Sequence, residues 1–332
     1  YEPEAAPFNS SLWIGYVPVS GRIEYDMDPE WITLGPSRVA TPKTYVEFQG
    51  QTAYGQRSRI PFHVSSLDWQ ESDRVLAGIM TTFRSQTGAI PIGGYGEFDG
   101  VMLEAFSRPR IEGVFSGDRM RAWNVIWGKG RADVVIQNSY ADVKNAVITA
   151  GDSEITAEGQ FSLGYPRKDD GEEINARVKL MRRPMADLKR AFELDDYDMD
   201  GVVSGEYHVY GHYETPLGFG KLLVEEGVAY GETFDSMSAG LRFEGNGVRL
   251  DTIQIAKSTG EATGAAWVGW DGTYSFNVDG RAIPVESLRT TAFPRAPLSG
   301  LLHFNATGAG NFDEPRYDVK VRVDDLFAGD EG

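Results

Sequence analysis

The sequence predicts an all-β protein with short helical inserts, an elongated antiparallel repeat sheet folded like a taco around a groove whose concave face is apolar. Three observations predict it. Short runs alternate apolar and polar residues, glycine-containing turn pairs separate the runs, and four features recur in the same order roughly every hundred residues.

Composition sets the limits. The 332 residues are 41% hydrophobic and 12% aromatic, with 39 glycines, enough apolar surface for a folded chain and enough glycine for many turns. The formal charge is −17 and the pI near 4.7, so a polyanion such as nucleic acid would be repelled. The absence of cysteine removes disulfides, thiolate nucleophiles and cysteine zinc sites. No run approaches the length of a membrane-spanning helix, and residues 1–7 lack a signal-peptide pattern. The expectation is a soluble chain, or an internal segment whose anchor lies upstream of Tyr1.

Alternation is clearest in the second half. Val178 and Leu180, then Tyr207 and Val209, precede the longer run Leu241, Phe243, Val248, Leu250, Ile253 and Ile255, which alternates with Arg242, Glu244, Arg249, Asp251 and Gln254. Tyr274, Phe276 and Val278 face Ser275, Asn277 and Asp279, and Val319, Val321 and Val323 alternate with Lys320, Arg322 and Asp324. Successive strand residues point to opposite faces, so each run makes one apolar and one charged face. Strands of a parallel α/β sheet would be apolar on both. Gly245-Asn246-Gly247, Asp271-Gly272, Gly151-Asp152 and Lys129-Gly130 accept the positive φ of tight hairpin turns, which makes an antiparallel meander.

The repeat is anchored on Gly50, Gly159 and Gly264, which stand 109 and 105 residues apart, each opening a strand and hairpin. A short helical segment follows: Ser66 to Leu76, Pro184 to Phe192, and the shorter Ile283 to Leu288. Ser66, Asp68 and Glu71, or Pro184 and Asp187, suit helix N-termini, and Leu67, Val75 and Ile79, or Met185, Leu188 and Phe192, give one stripe to bury. After each helical segment a strand leads to a proline: Pro109, Pro216 and Pro315. The copies divide the chain into a partial leading unit, 1–49, repeats at 50–158 and 159–263, and a partial third at 264–332, stacked in one dimension.

Catalytic signatures are missing. His208 and His212 fall in an alternating strand pattern, where four residues span about 13 Å, too far to share one ion. Asp196, Asp198 and Asp200 followed by Gly201 resemble the opening of a calcium loop, but the twelfth position is Tyr207 and no second helix follows. The reading that fits is a solvated acidic loop, with calcium kept as the alternative. No hydrolase elbow, phosphate loop or dinucleotide fingerprint appears in the right context. The expectation is therefore a protein that is not an enzyme and carries no cofactor.

Gly201 to Tyr207 with Gly211 and Pro216, the stretch from Phe234 to Leu250, and the run from Gly260 through Phe276 to Leu288 resemble the TamB/AsmA-like family of envelope-spanning proteins. The resemblance covers roughly residues 200–325. It implies a taco-like sheet anchored in the inner membrane of a diderm bacterium and reaching across the periplasm. It also implies association with phospholipid movement to the outer membrane and with assembly of outer-membrane proteins. The anchor, and any domain that docks a partner, would lie outside this segment. The alternating faces lead to the same place independently, because an apolar sheet face has to be hidden, and acyl chains gain about 0.8 kcal/mol per buried methylene. The expected function is a non-enzymatic groove that binds phospholipid acyl chains, lined by the alternating residues named above. The alternatives are a scaffold or chaperone pairing its sheet edge with an incoming outer-membrane strand, and a glycan-binding β-protein using Trp123, Trp127, Trp267 and Trp270.

Overall fold

The structure is a computed structural model that describes residues 12–14, 17–82, 92–138, 140–162, 173–192, 194–212, 215–289 and 297–329, with backbone only for 12–14 and 76–82. The protein is all-β with short helices, and every pairing resolved between strands is antiparallel. It forms two compact units: Tyr1–Gly151 with Ile155–Ala176, and Asp152–Glu154 with Arg177–Gly332.

The first unit begins with β1 (Leu12–Ile14), β2 (Val17–Arg22), β3 (Tyr25–Met27), β4 (Ile32–Ala40), β5 (Thr44–Thr52) and β6 (Ser58–Ser66), followed by helix α1 (Trp69–Thr82). β7 (Gly93–Ala105), β8 (Arg108–Ala122), β9 (Val125–Gln137) and β10 (Tyr140–Ala150) continue it as a meander. β2 and β3 both pair with the same side of β4, like one strand broken at Ile23 and Glu24. β11 (Ser153–Ser162) and β12 (Glu173–Pro184) follow, then helix α2 (Met185–Ala191). The second unit continues with β13 (Met199–His212), β14 (Pro216–Ala229), β15 (Glu232–Glu244), β16 (Gly247–Lys257), β17 (Gly260–Gly269) and β18 (Thr273–Pro284). After a 3-10 turn, Val285–Ser287, come β19 (Leu298–Asn311) and β20 (Tyr317–Ala328). From β13 to β20 each strand pairs with the next.

The repeat is six strands long. A helical element follows β6, β12 and β18, and the anchoring glycines lie in β5, β11 and β17. The divisions drawn from sequence therefore fall inside those three strands. Gly50, Gly159 and Gly264 play one structural part: a Cβ on any of them would collide with a carbonyl oxygen of the next strand, from Arg59, Asn175 or Asn277. Only glycine lets the backbones pass there.

A second regularity was invisible to simple alternation. Arg119, Asn145, Arg182, Glu226, Thr252, Ala282 and Asp325 all take positive φ, between 48° and 52°. They occupy β8, β10, β12, β14, β16, β18 and β20, one in every second strand. In every one of these strands whose pairing is resolved, the register slips at this point. These are β-bulges, which bend a strand and raise its twist. Each adds one residue, so side chains three apart share a face, as Leu250 and Ile253 do.

The helices differ from expectation. Among the described side chains of α1, Trp69, Val75, Glu71 and Ser72 are buried, while Leu67 precedes the helix and is 76% exposed. The side chains of Leu76 and Ile79 lie outside the described set. In α2 no residue is fully buried, and Phe192, expected on a buried stripe, is 70% exposed. A two-turn helix has too few positions to bury a long stripe, and Phe192 sits beyond its last turn. What buries instead is Arg183, 2% exposed, its guanidinium 2.7 Å from Asp187. The third copy has Ile283 and Ser287 at these places, with Pro284 matching Pro184. An ion pair in one copy is replaced by an apolar and a small polar residue in the other.

Candidate functional site

The candidate site is the apolar face of the second unit. The pairing register connects its rows from strand to strand. One row runs Val203, Val224, Met237, Ile255, Ala262, Gly280, Phe304, Val321. The next runs Tyr207, Gly220, Leu241, Leu250, Ala266, Phe276, Gly308, Tyr317. A third joins Val209, Gly218, Phe243, Val248, Val268, Tyr274 and Gly310. Ile253, Gly264, Val278, Ala306 and Val319 align between them, and Leu302 pairs with Val323. No charged residue interrupts these rows. The opposite face carries rows such as Ser204, Leu223, Ser238, Gln254, Thr263, Asp279, Asn305, Lys320. Ion pairs Arg242–Asp251 and Arg249–Glu244, both 2.8 Å, lie on that side.

The alternating residues singled out from β13 to β20 thus share one face. Val178 and Leu180 share a side of β12, alternating with exposed Arg177, Lys179 and Met181. The bulge explains a detail that alternation left contradictory. Strict period two would turn Ile253 and Ile255 away from Val248 and Leu250, but the extra residue at Thr252 returns them to the same face. Sequence reading missed Val203, Leu222, Val224, Met237 and Phe304 on this face. Val203 and Phe304 were within reach, since each continues an i, i+2 pattern already present in its strand.

Exposure varies along this face: Val203 and Val224 are each 2% exposed, whereas Val321 on β20 is 60% exposed, as is Phe219 on the other side. Part of the reason is curvature. Tyr197, just before β13, meets Phe312, just after β19, with ring centroids 5.5 Å apart. In a flat sheet six strand spacings alone would hold β13 and β19 about 29 Å apart, and the two rings also belong to opposite ends of the ladder. The sheet of this unit therefore curls until the ends of β13 and β19 are bridged, with Phe312 also stacked on Tyr274 at 5.1 Å.

Aromatic rings lie low on this face. Tyr207 covers Gly205 and Gly220, Phe276 covers Gly308, and Phe304 covers Gly280. A ring laid over glycine fills the missing side-chain volume without rising far from the sheet. Tyr207 is sunk deeply enough that burial pushes its phenol up to about 12.

The first unit has an apolar face of the same kind, with rows Val39, Val46, Val64, Phe98, Phe115, Ala132 and Phe48, Phe62, Gly100, Gly113, Val134, Val143. Here α1 folds over it: Trp69 packs against Phe115 at 5.0 Å. Glu71 fixes the helix by accepting from Thr41 Oγ1 at 2.5 Å and from the Lys43 backbone N–H at 2.9 Å.

The remaining candidates are dispersed. Asp196, Asp198 and Asp200 are exposed, and the Asp200 carboxylate accepts from the Gly201 N–H. Among the described residues no three acidic or histidine side chains converge as a metal site. His208 lies on β13 against Tyr210 and Phe219, with His212 at the strand's end. Trp123 and Trp127 form an edge-to-face pair at 6.3 Å beside one hairpin, and Trp270 donates its indole N–H to Gly245 O. No helix among the described residues is long and apolar enough to cross a membrane. Comparison with family models, curated proteins and solved structures finds no match to this chain.

Proposed function

We propose that the apolar face of the second unit binds phospholipid acyl chains, as a non-enzymatic groove within a protein that moves lipid across the periplasm of a diderm bacterium. One observation carries this reading: apolar rows run through eight consecutive strands without a charge, on a curled sheet whose other face carries the charged residues and ion pairs. Acyl chains need area and exclusion of water, not directed hydrogen bonds, and each methylene transferred contributes about 0.8 kcal/mol. Rings lying over glycines give such a surface few side-chain-sized pockets, which suits straight chains of varied length.

The test is direct. A photoreactive amino acid at Phe243, Ile253 or Phe276 should capture lipid in cells, and mass spectrometry of the purified protein should find co-purifying phospholipid. Aspartate at the same positions should abolish capture while the circular dichroism of the sheet persists. Failure of all three positions to capture lipid sinks the reading.

A second reading, a scaffold that accepts an incoming outer-membrane strand, is favoured by β20. Among the described strands it pairs only with β19, and Val319 and Val321 are largely exposed. Crosslinks from β20 to nascent outer-membrane proteins, with none to lipid from the apolar face, would select it.

A further inference from the structure

We propose that Tyr197 and Phe312 form a releasable clasp that holds the second unit curled around its apolar face and limits how fast acyl chains load from the side. The proposal rests on the lipid reading above and assigns a regulating element to the same face.

The placement of the two rings is the argument. Each belongs to a connection, not to a strand: Tyr197 to the stretch between α2 and β13, Phe312 to the turn between β19 and β20. They meet edge to face at 68°, although six strand spacings separate them along the ladder. Phe312 then stacks on Tyr274 at 21°, and Tyr274 belongs to the apolar rows. The chain of rings therefore runs from one end of the ladder to the lining of the face.

Both supports hold their rings in place without locking them together. The Phe312 N–H donates to Gly272 O, and the Tyr274 hydroxyl donates to Arg316 O. On the other side the Met199 N–H donates to Tyr197 O, and the Tyr230 N–H to Asp198 O. These bonds tie each ring to its own neighbourhood. The ring pair joins the two neighbourhoods, the Arg289 N–H donating to Glu232 Oε2 at 3.0 Å spans the curl elsewhere, and Phe312 remains 41% exposed. A ring pair is a small part of what holds a sheet, so it can part without unfolding the strands. Parting it would let the curl relax around Tyr274, on which Phe312 stacks, and around the rows to which Tyr274 belongs.

The chain contains no cysteine, so a double variant, Tyr197→Cys with Phe312→Cys, can be bridged by a short bismaleimide at one place only. The probe is a vesicle of phosphatidylethanolamine and phosphatidylglycerol carrying a trace of fluorescent phosphatidylethanolamine, with uptake followed as transfer to the protein. The bridged form should load at least about tenfold more slowly than the same variant left unbridged. Tyr197→Ala should load faster than the unaltered protein by roughly two- to tenfold, the factor to which one ring pair corresponds. Circular dichroism and urea unfolding of each form guard against a folding defect. Equal loading by bridged and unbridged forms overturns the clasp and leaves the lipid reading standing. No loading by the unaltered protein overturns both.

Discussion

Phe304 lays its ring across Gly280, its cross-strand partner: three ring carbons stand within 2.7 Å of the place a Cβ on the glycine would occupy. The two residues form one packing unit, with the glycine as the space and the ring as its filling. Gly280→Ala should destabilise the protein by about 1–3 kcal/mol, the range for forcing an extra carbon into a filled site. Adding Phe304→Ala should recover part of that loss, a coupling that urea unfolding of the double-mutant cycle would measure. Additive losses would show that the ring is free to move aside.

The buried Arg183–Asp187 pair has its own internal control. Arg183→Ala leaves the Asp187 carboxylate without its guanidinium, with an expected cost of about 3 kcal/mol. Arg183→Ile with Asp187→Ser copies the third repeat and should stay within about 1 kcal/mol of the unaltered protein, because a buried ion pair and an apolar replacement are often equivalent. A double variant as unstable as the single one would show that the copies do not share this environment.

Tyr207 gives a spectroscopic handle on the face. Burial holds its phenol up to about 12, above the ordinary value of 10.0. A raised value favours the protonated form in the folded state, so the stability linked to this group is fully present below pH about 10 and is lost as the pH rises through about 12. Ultraviolet titration of the unaltered protein against Tyr207→Phe should reveal one tyrosine ionising late. Bound phospholipid should delay it further, since acyl chains exclude water from the ring. An unchanged titration with lipid would mean that lipid does not cover this part of the face.

Glu71 binds α1 to the turn between β4 and β5. Glu71→Ala leaves the Lys43 N–H without its acceptor and the Thr41 hydroxyl with Thr44 O at 3.4 Å in place of the carboxylate, at a cost of about 2 kcal/mol. Hydrogen exchange should rise first in α1 and less in β7 to β9. Uniform acceleration would place Glu71 in the stability of the whole unit.

The sequence by itself determined the fold class, the polarity of each face and the repeat. Tight turns join neighbouring strands, so the meander is written in short stretches, and side-chain direction follows from counting by twos. The bulges were half legible. Leu250 and Ile253, both apolar and three apart, break the count by one, and the tertiary structure resolves the break with an extra residue at Thr252. Arg183 was not legible, because its burial depends on α2 bringing Asp187 to it, and nothing in a run of basic residues announces that. Nor was the exposure of Phe192, which a helix ending one residue earlier decides. Least legible was the contact between Tyr197 and Phe312. Each hairpin adds a small twist and each bulge a small bend, and only their sum over six strands brings those two rings together. Pairing between neighbours is local and can be read along the chain, whereas curvature accumulates and exists only once the whole sheet is built.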